Sequence, residues 1–277
     1  ARRAYSCAAS ATSTTAPAAA PAAAATTTAA TAHSAAAGPQ ATLATLADCD
    51  ALIVAVPTVA VVLPGSFYAL RETNFSVKAG EFVAVIGPSG SGKSTFLTMS
   101  GGLRNPTRGT VAVDGVDITD LSKKQLSAIR LKHVGFILQA SNLVPFLTVE
   151  KQLQLFDKVT GAKPNKKALN ALFDELGIQK LRKKYPSDLS GGERQRAAIA
   201  KVLYSRPSLI LADEPTASLD TTKAFEVVEL LARETRERGK ATIMVTHDER
   251  LIGYCDKVYE MHDGVLTERK AHKKQKV

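Results

Sequence analysis

Residues 87–95 read Gly87-Pro88-Ser89-Gly90-Ser91-Gly92-Lys93-Ser94-Thr95, and residue types at that spacing suit one chemistry, the holding of phosphate. Successive backbone N–H groups in a glycine-rich turn make a concave anion site, and a helix starting there adds its positive end. Gly87, Gly90 and Gly92 let the main chain approach an oxyanion with no Cβ in the way. Lys93 then reaches the β- and γ-phosphates of a nucleotide, and Ser94 offers a hydroxyl to Mg²⁺. A glycine run can also merely turn a chain. Here an apolar run at 82–86 precedes it and Phe96, Leu97 and Met99 follow, which predicts a buried strand turning into a helix.

Other groups converge on the same chemistry. The apolar run Leu209-Ile210-Leu211-Ala212 ends in Asp213 and Glu214. Ligands of an open parallel sheet gather at the carboxyl ends of its strands, so this pair is expected beside the phosphates. Asp213 suits Mg²⁺, directly or through water, and Glu214 suits polarising an attacking water. His247 follows the apolar run 242–245 and is expected at another strand end, within reach of a γ-phosphate. Gln139 closes a further short apolar run, 134–138, as a neutral side chain able to touch both metal and water. Ser190-Gly191-Gly192 opens a helix and forms a second phosphate-grade N-terminus. One chain has no use for two such sites around one ATP, whereas a head-to-tail dimer does, each glycine loop being covered by the other copy's Ser190, Gly191 and Gly192.

These residues need strands and helices to position them. Strands are expected at 74–77, 82–86, 110–113, 134–138, 209–212 and 242–245. Helices are expected from the glycine loop to about Ser100, over 123–131 with a Ser122/Gln125 capping box, from Gly191 to about Ser205, and over 221–238. Between them a charge-rich stretch reads as a helical subdomain at about 140–190. There Thr148 caps a helix with Leu153, Leu155 and Phe156 as its apolar residues, and Ala168, Leu172, Phe173 and Leu176 space a second helix. Strands alternating with helices indicate an α/β core with a mainly parallel sheet.

Composition bounds the rest. The chain has 277 residues, 45% of them apolar, enough for a substantial core. Three cysteines, Cys7, Cys49 and Cys255, have neither metal nor redox spacing and argue against a disulfide framework. The net charge of +10 fits a nucleic-acid partner, an anionic membrane surface or a solvated tail. Much of that excess crowds the basic tail 269–277. Residues 1–50 are rich in Ala, Ser and Thr and are expected to be disordered, either as an organelle transit peptide or as an inert extension. The run 51–70 is apolar but broken by Pro57, Pro64 and Gly65, so it reads as a β-rich entry to a folded domain at 51–268 and not as a membrane span.

Over about 68–267 the chain resembles the ATP-binding subunit of an ATP-binding cassette (ABC) transporter. Residues 87–95 match the family's Walker A, Gln139 its Q-loop, 189–193 its signature, 209–214 its Walker B, 218–220 its D-loop and His247 its switch histidine, all in family order. The resemblance implies a P-loop NTPase core with an antiparallel β subdomain and an inserted helical subdomain. It implies ATP and Mg²⁺ as cofactors, with Ser94, Gln139 and Asp213 at the metal, Glu214 as general base, and Asp220 beside the nucleotide. The implied partners are a homodimer or pseudo-dimer of ATP-binding subunits and an integral membrane permease to which Gln139 relays the change. The runs 139–146 and 212–220 resemble the exporter-type branch serving haem, lipoprotein, macrolide or peptide efflux. Its members lie peripherally on the cytoplasmic face of the cell membrane, or on a plastid or other organelle membrane if residues 1–50 are a transit peptide. The family's adenine-stacking aromatic falls at Ala60; Phe67 or Tyr68 substitutes, base stacking is lost, or the start of the domain is replaced. A soluble DNA-repair or chromosome ATPase shares the signature type, but sustained heptads and paired cysteines are missing, so nucleic acid is not an expected partner.

Overall fold

The structure, a computed structural model, describes residues 56–63 and 67–269. The expectations for residues 1–50, for the tail beyond Arg269 and for the side chains of Ala60, Phe67 and Tyr68 lie outside what it describes.

A six-stranded sheet forms the centre. Its strands are β3 (Phe82–Ile86), β6 (Val134–Ile137), β7 (Leu209–Asp213), β8 (Ala241–Val245), β9 (Lys257–His262) and β10 (Val265–Arg269). They lie in the order β10-β9-β3-β8-β7-β6, with β9, β3, β8, β7 and β6 mutually parallel and β10 antiparallel at the edge. Two antiparallel pairs stand apart from it: β1 (Val56–Leu63) with β2 (Phe67–Phe75), and β4 (Ala112–Val113) with β5 (Val116–Asp117).

Every residue of β3 and β8 is buried, as parallel strands covered on both faces must be. Side chains alternate across the pleat and feed two cores. Phe82, Ala84, Ile210, Ala212 and Met244 point to one, shared with α3 (Val149–Thr160), α4 (Lys166–Glu175), α5 (Gly191–Tyr204) and α6 (Thr221–Glu237). Val83, Val85, Leu209, Leu211, Ile243 and Val245 point to the other, shared with α1 (Lys93–Ser100) and α2 (Lys123–His133). Helix ends follow their sequence cues. Ser122 and Gln125 form the capping box of α2, with Ser122 N–H donating to Gln125 Oε1 at 3.0 Å. Gly101 ends α1 and Gly239, at φ +59°, follows the end of α6.

Four expectations need correcting. The strand placed at 74–77 is β2, which ends at Phe75; Val77 is fully buried as core filling without belonging to a ladder. The strand placed at 110–113 shortens at its start to β4, because Val111 N–H donates to the Thr119 hydroxyl at 2.9 Å instead of to a ladder partner; Asp114 and Gly115, at φ +53° and +74°, end it at Val113 and turn the chain into β5. Thr148 stands at the N-cap of α3 but its hydroxyl makes no capping bond. Leu155 is 38% exposed and does not enter the core, which α3 reaches through Val149, Gln152, Leu153 and Asp157 instead. Among the described residues no helix is long and apolar enough to cross a membrane.

Candidate functional site

The carboxyl ends of β3, β7 and β8 and the segment after β6 open onto one cleft of about 670 Å³. Its wall includes Gly87, Ser89, Gly90, Gly92, Lys93, Ser94 and Thr95 from the glycine loop. Gln139, Asp213, Glu214 and His247 complete it, so strands distant in sequence bring four further expected side chains to that loop.

The loop is held tightly from behind. A Cβ on Gly87 would lie 2.2 Å from Met261 O, and one on Gly92 would lie 2.2 Å from Ala69 O, so both positions exclude a side chain. Gly92 also has φ +108°, a left-handed conformation. Ser91 is buried, and its carbonyl accepts from Gly264 N–H at 2.9 Å. The β9–β10 turn therefore braces the glycine loop, with Gly264 O in turn accepting from Arg71 N–H at 2.8 Å. Sequence reasoning missed these braces and missed Ala69 and Val245 in the cleft wall. Asp263-Gly264 does announce a turn, but nothing local says what it leans on.

Lys93 curls over its own loop. Its Nζ donates to Gly87 O at 2.8 Å and Pro88 O at 2.6 Å; Pro88 and the buried Ser91, both expected at the nucleotide, are not in the cleft wall, and Pro88 acts on it only by holding Lys93. Burial holds its pKa below the usual lysine value, against the opposing pull of the Glu214 and Asp213 charges. A desolvated ammonium facing two carboxylates and a ring of N–H groups is matched to a polyanion accompanied by a cation.

Glu214 sits one residue past β7 at φ +49°, a costly conformation for a residue with a Cβ. Its backbone is pinned there: its N–H donates to Val245 O at 3.0 Å and its carbonyl accepts from Ala217 N–H at 3.2 Å. Its carboxylate, 15% exposed, faces His247 Nδ1 at 2.9 Å. Behind the histidine, Asp248 caps the short turn of helix Glu249–Tyr254 and is gripped at both oxygens by Arg250, at 2.9 and 2.7 Å. That grip holds the Asp248 carboxyl below the ordinary aspartate range.

Ser190, Gly191, Gly192 and Asp220 do not line this cleft. Ser190 is exposed and caps α5 in a reciprocal box: Glu193 N–H donates to Ser190 Oγ at 3.3 Å and Ser190 N–H to Glu193 Oε2 at 2.7 Å. Asp220 is likewise exposed and accepts from Lys223 N–H at 3.0 Å as the N-cap of α6. The two caps are neighbours, since a Cβ on Gly192 would stand 3.1 Å from Ser218 O. Beside Gly192 lies Arg196, whose Nε is buried and has no hydrogen-bond partner.

Comparison with known proteins agrees with this arrangement. Residues 70–217 match the model of the ABC transporter family. This chain belongs to the ABC transporter family. The cassette is 43% identical to the hemin import ATP-binding protein HrtA of Staphylococcus aureus over 201 residues, 72% of this chain and 90% of that protein. It is similar to a solved structure described as the dimeric structure of MJ0796, a bacterial ABC transporter cassette. That match has TM-score 0.72 and 33% identity, and covers 80% of this chain and all of that one. CbiO1 from Clostridium perfringens, described as part of the ABC transporter complex cbiONQ, matches with TM-score 0.68 and 29% identity over 79% of this chain and 88% of that one. The cassette is thus the ATP-binding and ATP-hydrolysing subunit of an ABC transporter, with an α/β P-loop fold. The DNA-repair or chromosome reading is not favoured.

Proposed function

We propose that two copies of this cassette close head to tail over two ATP molecules and thereby drive a separate membrane subunit that exports a haem-type substrate. One observation carries the reading. The cleft gathers the glycine loop, Gln139, Asp213, Glu214 and His247, while the capped glycine rim Ser190-Gly191-Gly192 is absent from it and Ser190 faces solvent. Helix-start N–H groups outside the cleft are placed to meet a phosphate brought by another molecule rather than one held in their own chain's cleft. Dimeric forms of the similar cassette MJ0796, one of them bound to ADP and Pi, add support.

In the closed dimer Lys93 exchanges its loop carbonyls for β- and γ-phosphate oxygens. Glu214 accepts a proton from the attacking water, and His247 holds the Glu214 carboxylate and the γ-phosphate in register. Ser94, Gln139 and Asp213 supply a hydroxyl, an amide and a carboxylate on one wall of the cleft, a hard oxygen set that fits Mg²⁺. When bound, Mg²⁺ would neutralise charge developing on the transferred phosphoryl group. Among the described residues no group of three or more His, Cys, Asp or Glu could hold a metal alone, and Mg²⁺ sites of this kind take much of their shell from phosphates and water.

The membrane subunit would seat on a groove of about 440 Å³ lined by Leu103, Leu131, Phe136, Leu155, Phe156 and Val159. Leu103, Leu131, Leu155 and Val159 are 51%, 42%, 38% and 59% exposed, and Phe146 in the Q-loop segment is 77% exposed. Apolar side chains left in water in such a cluster are suited to a partner. Association through it would make the cassette a peripheral protein of the cytoplasmic membrane face. The haem-type cargo rests on the name of the Staphylococcus aureus relative, and that name says import. The outward direction rests on the resemblance of 139–146 and 212–220 to exporter-type cassettes.

The test is Glu214→Gln with ATP and Mg²⁺ in size-exclusion chromatography with light scattering. A stable dimer that ADP does not produce is expected, and a monomer under all nucleotides overturns the reading. Haemin retention by cells co-expressing the cassette with its membrane subunit tests cargo and direction: lowered retention supports export and raised retention overturns it.

A further inference from the structure

Helix α5 does more than present the glycine rim. From its buried side Gln195, 2% exposed, donates through Nε2 to Leu138 O at 3.3 Å, the carbonyl immediately before Gln139. Two turns further along, Lys201 donates through Nζ to Asn142 O at 3.0 Å. Asn142 has φ +40°, so the chain bends there into a left-handed conformation that asparagine tolerates better than most residues. The bonds fall on either side of Gln139, and both come from the helix that Ser190 caps. The far end of the segment is held independently by α3. Gln152, 2% exposed, accepts from Val144 N–H at 3.1 Å and donates to Val144 O at 2.7 Å and Leu147 O at 3.1 Å.

A main-chain carbonyl that accepts from an ammonium makes a charge-assisted, directional bond. Burial pushes the Lys201 pKa down. Helices move as stiff bodies, so a loop bonded to one helix at two points follows that helix.

We infer that Gln195 and Lys201 are positioning residues that clamp the Q-loop to α5, so that the rim offered to one nucleotide and the Gln139 that lines the cleft for the other move together. This rests on the head-to-tail dimer proposed above. When a second copy engages Ser190-Gly191-Gly192, α5 shifts, and the clamp carries that shift to Gln139 in the same chain. Loading of one site is thereby felt at the other through a single helix, and ATP turnover becomes cooperative.

The experiment compares the full chain with Lys201→Met, which keeps the apolar stem but loses the donor, with Gln195→Met, and with Lys201→Arg, which restores a donor. Expected in Lys201→Met and Gln195→Met are a Hill coefficient for ATP falling from above 1 towards 1, kcat lower by about 5- to 10-fold, and nucleotide affinity of the dilute monomer within about twofold of wild type. Lys201→Arg should recover the Hill coefficient. Hydrogen exchange of amides 139–142 should be faster in the two Met variants even without nucleotide. Wild-type Hill coefficient, kcat and exchange in both Met variants, with dimers forming normally, overturns the clamp and leaves the dimer standing. A wild-type chain that stays monomeric with ATP overturns the dimer and with it the transmission.

Discussion

His247 Nδ1 stands 2.9 Å from Glu214 Oε1, although the two side chains arise just beyond different strands. The strands are neighbours, with Asp213 of β7 in register with Val245 of β8, so each chain end delivers its residue to the same edge of the cleft. The partners differ in freedom: the His247 side chain is 74% exposed and that of Glu214 15%. The imidazole can swing while the carboxylate stays. We predict that His247→Ala lowers kcat by about 10²-fold, at the lower end of acid–base contributions, with KM for ATP changed little. Steady-state ATPase kinetics check it, and an equal loss spread over KM would assign His247 to binding.

Two glycines of the same loop should respond differently to alanine. Gly92→Ala drives a Cβ to 2.2 Å from Ala69 O at φ +108°, so it should lose more than about 1 kcal/mol of stability together with nucleotide binding. Gly90→Ala, at φ +81° with nothing within 4 Å, meets conformational strain alone and should keep most of its stability while the new methyl obstructs phosphate. Urea denaturation paired with a fluorescent-nucleotide titration separates the two outcomes.

Lys93 links nucleotide binding to pH. Its pKa in the free chain is lowered, chiefly by burial, so above that pKa and below 10.5 the unfolded chain holds the proton more tightly than the folded one. Folding stability of the free chain therefore rises with pH through that window. Polyphosphate restores the counter-charge, so ATP binding within that same window should be accompanied by proton uptake. Calorimetry in two buffers of different ionisation enthalpy measures the uptake, which Lys93→Ala should abolish while weakening ATP roughly 10- to 150-fold.

Cys255 should be silent to thiol reagents in the folded chain. It is 6% exposed and burial pushes its pKa up to about 12, leaving almost no thiolate near neutrality. Because the folded value lies above the reference of 9.0, this thiol's contribution to stability is complete below 9 and is lost as pH rises towards 12. Peptide mapping after alkylation at about pH 8 should find Cys255 modified only once denaturant is added.

Much of the site was legible because its chemistry sits at the ends of short apolar runs. The runs before Gly87, Gln139, Asp213 and His247 needed only to be parallel strands of one sheet for their following residues to meet. Caps such as Ser122 with Gln125 were equally legible, since both partners lie within one turn. What stayed hidden depends on contacts across long stretches of chain. Gly87 against Met261, Gly264 against Ser91 and Gln195 against Leu138 each join segments that local pattern cannot pair. Val77 and Leu155 misled for a related reason, since an apolar residue near a strand or on a helix tells nothing of which neighbour will cover it.

The glycine loop leans on Met261 and Gly264, residues made long after it as the chain leaves the ribosome. The loop thus depends for its shape on β9 and β10, which lie far from it in sequence. Removing β9 and β10 would therefore be felt at the glycine loop itself, which would lose the main chain it rests against.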